Sequence, residues 1–330
     1  MKFLLIAGLS VLAILVIAIG AALAFGGPGQ PPTLASIGAP FKQVDFSNLP
    51  ELHSYRARDG VLLGFRQYAP PAAVRGSAVL VHGSSASSAS MHPLAQRLAA
   101  AGFEVFALDI RGHGASGTKG QIAYIGQLED DLEDFVKSRT LAKPSTLVGL
   151  SAGGGFTLRF AGSTRQDLFS SYLLLSPYLR YDAPTFRQGG SEWARVGIPR
   201  FLVLSLLDGL GLKLFQDLPV TRFALSPEDQ SRLTPWYSYR LNRNFGPHDD
   251  FRADIRQARL PMALVVGAAD ELFVPEQFGP VFEAAGKPIP VRVVPGVGHV
   301  TVILAPEAIQ ATLESLQGLQ GPHRAPEAPR

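Results

Sequence analysis

The sequence contains no cysteine and few charged residues. Without a thiol, the chain has no disulfide bond, no cysteine-ligated metal and no thiol nucleophile, while its redox compartment stays open. Charged residues make up 17% of the 330 residues and hydrophobic residues 46%, a balance that excludes a disordered chain and a coiled coil. The formal net charge of +3 is too small and too scattered to favour nucleic-acid binding. This composition is typical of a globular protein with a substantial core.

One stretch near the N-terminus lacks charge altogether. Phe3 to Phe25 is longer than the ~20 apolar residues with which a helix crosses a bilayer, and it predicts a transmembrane anchor over residues 1–25. A cleaved signal peptide is the alternative, because Ala22-Leu23-Ala24 offers small residues for cleavage. Lys2 is followed by no positive charge until Lys42, so the N-terminus is expected to stay in the cytoplasm. Both interpretations place the main domain outside the cytoplasm, and cleavage would make it secreted.

The rest of the chain divides into a core, an insertion and two flanks. Residues 26–50 begin rich in Gly and Pro and are predicted to be a linker that lifts the domain off the membrane. Strand and helix patterns alternate over residues 51–178 and 252–318, which predicts an α/β core, a mostly parallel sheet with helices on both faces. The alternation stops over residues 179–251, which we interpret as a cap. Residues 319–330 are Pro-rich and polar, typical of a disordered tail.

One stretch joins a strand to a helix through a single serine. Leu147 and Val148 favour a buried strand, and the corner Gly149-Leu150-Ser151-Ala152-Gly153 leads into a helix. This is the G-x-S-x-G pattern of a nucleophile elbow, a strained turn that lifts the serine above the sheet edge. Glycines two residues before and after the serine fit such a turn, because it brings backbone segments so close that a Cβ would clash. The pattern is short, so the flanking strand and helix carry the prediction.

Two polar residues further along the chain stand at strand ends, where catalytic groups lie in open α/β sheets. Asp270 follows the predicted strand Met262 to Val266, and His299 follows the predicted strand Val291 to Val294. A serine hydroxyl is a poor nucleophile until a base removes its proton, and the base needs an acid to fix its tautomer. The order Ser151, Asp270, His299 is the one expected for this architecture, and it predicts nucleophile, acid and base.

Several residues compete for the two supporting roles. His113 also follows a strand end and is the main alternative base, although its position within an Arg-Gly-His-Gly run more often serves loop packing. Glu271 is the nearest alternative acid, and Asp249 and Asp250 are weaker ones. A solvated loop carboxylate is the plain alternative for Asp270.

The oxyanion of a tetrahedral intermediate needs backbone N–H donors. Ala152, directly after the serine, is expected to supply one at the positive end of the helix that it begins. The second is expected from Ser84, in the loop after Val81, where Gly83 would allow a tight turn. An ordinary Gly/Ser surface loop is the alternative.

A run of acids accompanies the helix predicted near residues 125–136. Its apolar residues recur at helical spacing, and the acids Glu129, Asp130, Asp131, Glu133 and Asp134 lie on the other side. A solvated helix face explains such a run far more simply than a metal site. The sequence therefore predicts neither a metal nor a cofactor.

Taken together, the motifs LVHGSS, ALDIRGHGASG, VGLSAGGG, GAADELFVP and GVGH resemble the α/β-hydrolase superfamily. Within it, the chain is most similar to the monoacylglycerol lipase and lysophospholipase-like serine hydrolases, over about Leu52 to Leu316. The resemblance implies an α/β-hydrolase fold and a serine esterase that cleaves apolar acyl or lipid esters through an acyl-serine intermediate. The matching site residues are Ser151 as nucleophile, Asp270 as acid, His299 as base, and the amides of Ser84 and Ala152 as the oxyanion hole.

The same three residues also serve different chemistry. An aminopeptidase, a thioesterase, an acyltransferase or a cofactor-free haloperoxidase would use the same order of nucleophile, acid and base. A catalytically silent binding protein with the same fold is the alternative from a different class. Because a fold does not fix a substrate, the sequence leaves these functions open.

A second apolar stretch lies within the cap. Phe201 to Phe215 carries only the charges of Asp208 and Lys213, and it is too short to span a bilayer. A cap helix packed on the core is the plain interpretation. The alternative is a helix that touches lipid and lets an acyl chain enter from the bilayer. Replacing Leu204 and Leu207 with serine is the test that the sequence suggests.

Overall fold

The computed structural model describes residues 2–189 and 193–321. Its strands are β1 (Leu52–Arg56), β2 (Leu62–Tyr68), β3 (Gly76–Val81), β4 (Phe103–Leu108), β5 (Ser145–Leu150), β6 (Ser171–Leu175), β7 (Ala194–Val196), β8 (Pro219–Phe223), β9 (Trp236–Ser238), β10 (Met262–Gly267) and β11 (Val291–Val294). Eight of them form one sheet in the order β1-β2-β4-β3-β5-β6-β10-β11. The β1–β2 and β2–β4 pairs are antiparallel and the other five are parallel, which confirms the predicted mostly parallel sheet.

The central strands are buried on both faces of the sheet. Every residue of β3, β5, β6 and β10 is buried, and apolar residues follow one another along most of each strand instead of alternating with exposed polar ones. Successive side chains still point to opposite faces. Val79 and Val81 belong to one hydrophobic core, whereas Ala78 and Leu80 belong to the other. The sheet therefore separates two cores.

Helices cover both faces, as predicted. They are α1 (Lys2–Phe25), α2 (Ala35–Gly38), α3 (His92–Ala100), α4 (Gln127–Lys137), α5 (Ala152–Ala161), α6 (Ile198–Gly209), α7 (Pro227–Arg232), α8 (Tyr239–Asn244), α9 (Phe251–Gln257), α10 (Phe278–Ala284) and α11 (Pro306–Leu319). Short 3₁₀ turns span Ala39–Gln43, Ser88–Met91, Gln166–Leu168, Pro275–Gln277 and Val300–Ile303. Residues of α3 and α11 fill one core, and residues of α4, α5, α9 and α10 fill the other.

Between β6 and α9, residues of the predicted cap form a second, smaller layer. The strands β7, β8 and β9 make an antiparallel sheet, flanked by α6, α7 and α8. Leu204, Val220 and Tyr239 are its buried core, and Leu23 of α1 packs against them. The helix predicted over Phe201 to Phe215 is shorter than expected. It begins at Ile198, three residues earlier than predicted, and its first turn includes Pro199, a position where proline is tolerated. It ends at Gly209, shortly before Gly211, whose backbone is left-handed.

The N-terminal part is a long apolar helix followed by a segment that packs on the protein. Within α1, Leu5–Phe25 is apolar and long enough to cross a membrane, and none of this window is buried. Residues 26–50, predicted to be a linker, contact the cap: Leu34 N–H donates to Ala224 O at 3.1 Å. At the other end, α11 continues to Leu319, and most of the predicted tail lies outside the described residues.

Candidate active site

Ser151 lies in a strained turn between β5 and α5. Its φ of 54° and ψ of −118° are rare for a non-glycine residue. The backbone holds this conformation, because Ser151 N–H donates to Leu175 O and Ser151 O accepts from Gly155 N–H and Tyr178 N–H, all at 2.9 Å. The side chain is mostly covered, with 8% of the residue exposed. The geometry is that of a nucleophile elbow.

The two glycines of the pattern are required by close backbone approach. A Cβ on Gly153 would overlap the carbonyl oxygen of His82, in the loop after β3. A Cβ on Gly149 would overlap the carbonyl oxygen of Gly153 and Oγ1 of Thr157. Neither glycine has a positive φ, so they serve space rather than backbone freedom.

His299 and Asp270 lie in contact at the ends of β11 and β10. His299 Nδ1 is 2.9 Å from Asp270 Oδ2, and the residues are 3% and 1% exposed. Asp270 Oδ1 accepts N–H bonds from Leu272 and Phe273, each at 2.9 Å. Burial raises the pKa of Asp270. The charge and hydrogen bond of His299 and the two amides lower it by more than burial raises it, so the pKa lies below its usual range. An ionised carboxylate here fixes the proton on Nδ1 and leaves Nε2 as an acceptor.

Glu271, the alternative acid, has a different partner. Its Oε2 accepts the backbone N–H of His299 at 2.9 Å, and within the described residues it makes no hydrogen bond to the imidazole. The ring of Phe273 packs edge-on against the imidazole, with centroids 5.0 Å apart. Backbone and ring of His299 are therefore fixed by different neighbours.

Hydrogen bonds and ion pairs also hold the competing residues His113, Asp249 and Asp250. Both ring nitrogens of His113 are hydrogen-bonded, Nδ1 to two backbone carbonyls and Nε2 to Tyr237 OH at 2.6 Å. Burial, together with a neighbouring histidine, lowers the pKa of His113 well below its usual value. Asp249 pairs with an arginine of the cap, and Asp250 caps α9. All three groups are therefore engaged by partners other than Ser151 and His299.

The loop after β3 approaches the serine as the sequence predicts, but by a different backbone route. Gly83 lies against the elbow, where a Cβ would be 3.4 Å from Ser151 Cβ. The left-handed residue of the loop is Ser85, with φ of 69°, and not Gly83. Ser84 lines a cavity beside Ser151, and within residues 2–189 and 193–321 its backbone N–H has no hydrogen-bond acceptor. Ala152 begins α5 directly after the serine.

A cavity of about 1110 Å³ joins these groups. Ser84, Ser151 and His299 line it. Much of the remaining wall comes from the segment that follows α1 and from the cap, through apolar residues that include Leu34, Ile37, Phe41, Phe46, Leu49, Trp193, Leu225 and Leu233. The sequence did not indicate that residues 33–49 form a wall of this cavity, because a Gly/Pro-rich start favours a free linker.

The acid run of α4 is only partly solvated, contrary to the expectation. Glu129 and Asp131 are 8% and 5% exposed, and they pair with Arg159 and Arg111. Burial raises the pKa of Asp131 to about 6 despite its arginine partner. Among the described residues, no group of three or more His, Asp and Glu side chains is arranged to hold a metal ion.

Comparisons with known proteins agree with this architecture. A family model described as serine aminopeptidase, S33, matches residues 72–303. A monoacylglycerol lipase of Mycolicibacterium smegmatis is 34% identical over 134 residues, which cover 38% of this chain and 46% of the lipase. The chain thus matches less than half the length of this curated relative.

Solved structures share the fold, among them the following two. A soluble variant of monoglyceride lipase from Saccharomyces cerevisiae is 19% identical with a TM-score of 0.59, over 84% of this chain and 97% of that one. A membrane phospholipase A described as a bacterial virulence factor is 16% identical with a TM-score of 0.56, over 98% of this chain and 100% of that one. The predicted α/β-hydrolase fold and the resemblance to monoacylglycerol lipase-like hydrolases are confirmed.

Proposed function

The chain belongs to the α/β-hydrolase family described as serine aminopeptidase, S33, and we propose that it is a serine hydrolase that cleaves apolar acyl esters. The observation that carries the proposal is a strained Ser151 that lines the same cavity as His299, whose Nδ1 lies 2.9 Å from buried Asp270. A nucleophile, a base and an orienting acid are the three groups that acyl transfer needs.

The reaction proceeds in two halves. Ser151 Oγ attacks the ester carbonyl carbon while His299 Nε2 takes the hydroxyl proton. The bond from the carbonyl carbon to the leaving oxygen breaks, and His299 returns the proton to the alcohol. Water then attacks the acyl-serine, gives one proton to His299, and releases the acid as Ser151 Oγ regains that proton. Asp270 stays ionised throughout, while the amides of Ser84 and Ala152 bind the oxyanion.

The size and lining of the cavity favour an apolar substrate with one long acyl chain. Its volume of about 1110 Å³ exceeds the ~300–1,000 Å³ of common ligand sites, and its lining is mainly hydrophobic. Charged lining residues come from the segment after α1 and from α7: Lys42, Glu228, Asp229 and Arg232. We place the alcohol part of the ester, such as a glycerol, near these charges. The similarity to a monoacylglycerol lipase supports this assignment.

Labelling with a fluorophosphonate tests the nucleophile, and a substrate series tests the class. Full-length protein in detergent or nanodiscs should label and hydrolyse monoacyl esters, Ser151→Ala should do neither, and Ser315→Ala on α11 should behave as wild type. Label retained by Ser151→Ala would refute the assignment of the nucleophile. Turnover of aminoacyl amides or thioesters in place of esters would refute the ester class. A wild-type protein without label or turnover would favour a silent binding protein.

We further propose that α1 is retained as a membrane anchor. Arg200 of α6 is 9% exposed, and its guanidinium donates to Leu23 O at 2.9 Å, Ala24 O at 3.1 Å and Pro219 O at 2.8 Å. Carbonyls at a helix C-terminus lack partners within the helix and favour a cation. Cleavage after Ala24 would detach two of the three acceptors from a buried charge. Intact mass of protein from the membrane fraction should include α1, and a mass that begins near residue 25 would refute retention.

The cap helix α6 supports contact with the same bilayer. Ile198, Leu202 and Leu206 of α6, with Leu210 directly after its last residue, recur every four residues and are each more than half exposed, so they form one outward apolar stripe. Leu204, chosen from the sequence as a test position, is fully buried in the cap core, so its replacement would report on stability instead of lipid contact.

A chain without cysteine allows one label at a time. A nitroxide on Leu206→Cys in nanodiscs should be more accessible to oxygen than to a polar nickel chelate. The control is Val293→Cys on β11, 41% exposed, which should show the reverse. Equal accessibility profiles at the two positions would refute lipid contact by α6.

A further inference from the structure

The cap holds the loop that carries the Ser84 amide. Ser85 N–H donates to Tyr237 OH at 2.7 Å, and Ser85 Oγ donates to Thr234 O at 2.7 Å. Thr234 N–H donates back to Ser85 O at 2.9 Å, and Trp193 Nε1–H donates to Ser84 Oγ at 2.9 Å. Two loop residues therefore make four hydrogen bonds to three residues of the cap.

The hydroxyl of Tyr237 has a fixed hydrogen-bond polarity. His113 Nδ1 faces the carbonyls of Ile110 and Arg111, so this nitrogen carries the proton and Nε2 is an acceptor. Tyr237 OH must donate to that Nε2 at 2.6 Å, and its lone pair is then directed to Ser85 N–H. Because all three groups are buried, a change of polarity would leave a donor or an acceptor without a partner.

This chain of bonds acts on a strained residue. Ser85 has a φ of 69°, a conformation that non-glycine residues adopt rarely, because the Cβ comes too close to the following carbonyl oxygen. The peptide that joins Ser84 to Ser85 takes its orientation from that angle. If Ser85 relaxed to an ordinary φ, that peptide would turn and shift Ser84 at its other end, and with it the Ser84 N–H of the preceding peptide. A bond to Ser85 N–H holds the left-handed conformation in place.

We propose that Tyr237 is a positioning residue for the oxyanion hole, acting through Ser85 to hold the Ser84 amide toward the substrate. The inference rests on the proposed function, in which that amide binds the oxyanion. It makes the cap part of the catalytic geometry as well as a cover for the cavity. Tyr237 itself does not line the cavity among the described residues, so its effect is transmitted through the loop.

Tyr237→Phe tests the proposal because it removes one hydroxyl and keeps the ring, which packs edge-on against Phe223 with centroids 4.6 Å apart. Active-site titration corrects for unfolded protein. We expect kcat on a monoacyl ester to fall about 10- to 100-fold with KM within about threefold, because oxyanion contacts act in the transition state. The matched control is Tyr239→Phe, also buried in the cap, whose hydroxyl contacts Ser205 at 3.4 Å and should leave kcat unchanged.

Two inhibitors separate positioning from general damage. A trifluoromethyl ketone forms an oxyanion with the serine, whereas the corresponding alcohol occupies the cavity without forming one. Tyr237→Phe should weaken the ketone by the same factor as kcat and leave the alcohol unchanged. Equal weakening of both inhibitors, a rise in KM alone, or an unchanged kcat would overturn the proposal.

Ser85→Ala supplies a second variant, should the first fold poorly. It removes only the bond to Thr234 and should give a smaller loss with the same split between ketone and alcohol. Failure of the proposed function has a different signature, since the wild-type protein would then neither label with fluorophosphonate nor turn over esters. With an active wild type and an inactive Ser151→Ala, normal turnover by Tyr237→Phe would overturn only the positioning role.

Discussion

Replacing Asp270 with asparagine changes a carboxylate whose two oxygens have different partners. Oδ1 accepts two backbone N–H bonds, from Leu272 and Phe273, and Oδ2 faces His299 Nδ1, all at 2.9 Å. An amide has only one acceptor oxygen, and two N–H donors claim it. The new NH₂ group must therefore face the imidazole. Nδ1 then becomes the acceptor, the proton moves to Nε2, and the ring no longer accepts a proton from Ser151.

The expected loss follows from this exchange of tautomers. A triad with the wrong imidazole tautomer loses a factor of about 10⁴ in kcat, or about 5.5 kcal/mol of transition-state stabilisation. Stability should change far less, by about 1–2 kcal/mol, because the two backbone bonds to the Oδ1 position persist in Asp270→Asn.

The assay compares kcat on a short soluble ester with Glu271→Gln as the control. The glutamine oxygen still accepts the N–H of His299, now bonded to Glu271 at 2.9 Å, so activity should stay within about tenfold of wild type. Thermal unfolding of both variants shows whether they are folded. If Asp270→Asn keeps more than a tenth of the wild-type kcat, or if Glu271→Gln is equally impaired, the assignment of Asp270 as the orienting acid is wrong.

The anchor junction and the buried carboxylate each give a further measurable outcome. Arg200→Met should lower the unfolding free energy by about 2–3 kcal/mol in detergent, because three buried hydrogen bonds are lost. The control is Arg256→Met, at a half-exposed side chain, which should not lower it. Equal melting temperatures of the two variants would contradict a stabilising contact between Arg200 and the end of α1. Burial raises the pKa of Asp270, but His299 and two amides bring it below 3.8, so its stabilisation is complete above pH ~4 and is lost as pH falls through the folded pKa. As the pH falls below that value, the melting temperature of Asp270→Asn should therefore decrease less than that of the wild type. Melting temperatures that fall in parallel with pH in the two proteins would refute the link between Asp270 ionisation and stability.

The parts of the site that the sequence predicted are those made by local chain geometry. Ser151 is positioned by its own chain neighbours, which are a strand, a turn with two glycines and a helix. The turn itself imposes the strained φ, so no distant contact was needed to predict this position. Asp270 and His299 follow the ends of two strands that are parallel neighbours in the sheet, so chain direction alone brings them to one edge. The alternating pattern of apolar strands and helices predicted the core for the same reason.

The parts that the sequence missed depend on distant contacts. Tyr237 and Ser85 are 152 residues apart and belong to a cap strand and a core loop, with no periodic pattern to link them. The hydrogen bond from His299 N–H to Glu271 was also not predicted, because nothing in the sequence indicates that the carboxylate next to Asp270 binds the backbone of the histidine. The packing of residues 33–49 on the cavity was hidden by their resemblance to a linker.

The same difference between local chain geometry and distant contacts indicates which regions determine substrate specificity. In the proposed mechanism the elbow and the two strand ends provide the chemistry, and the elbow is a feature of the α/β-hydrolase fold. The cavity wall is built mainly from the segment after α1 and from the cap. The cap also donates a hydrogen bond to the loop of Ser84. We therefore expect those regions to set the substrate preference, so that a relative sharing only the motifs would share the reaction and not the ester. Exchanging residues 33–49 with those of such a relative should therefore change the preferred acyl-chain length while the rate of fluorophosphonate labelling stays the same.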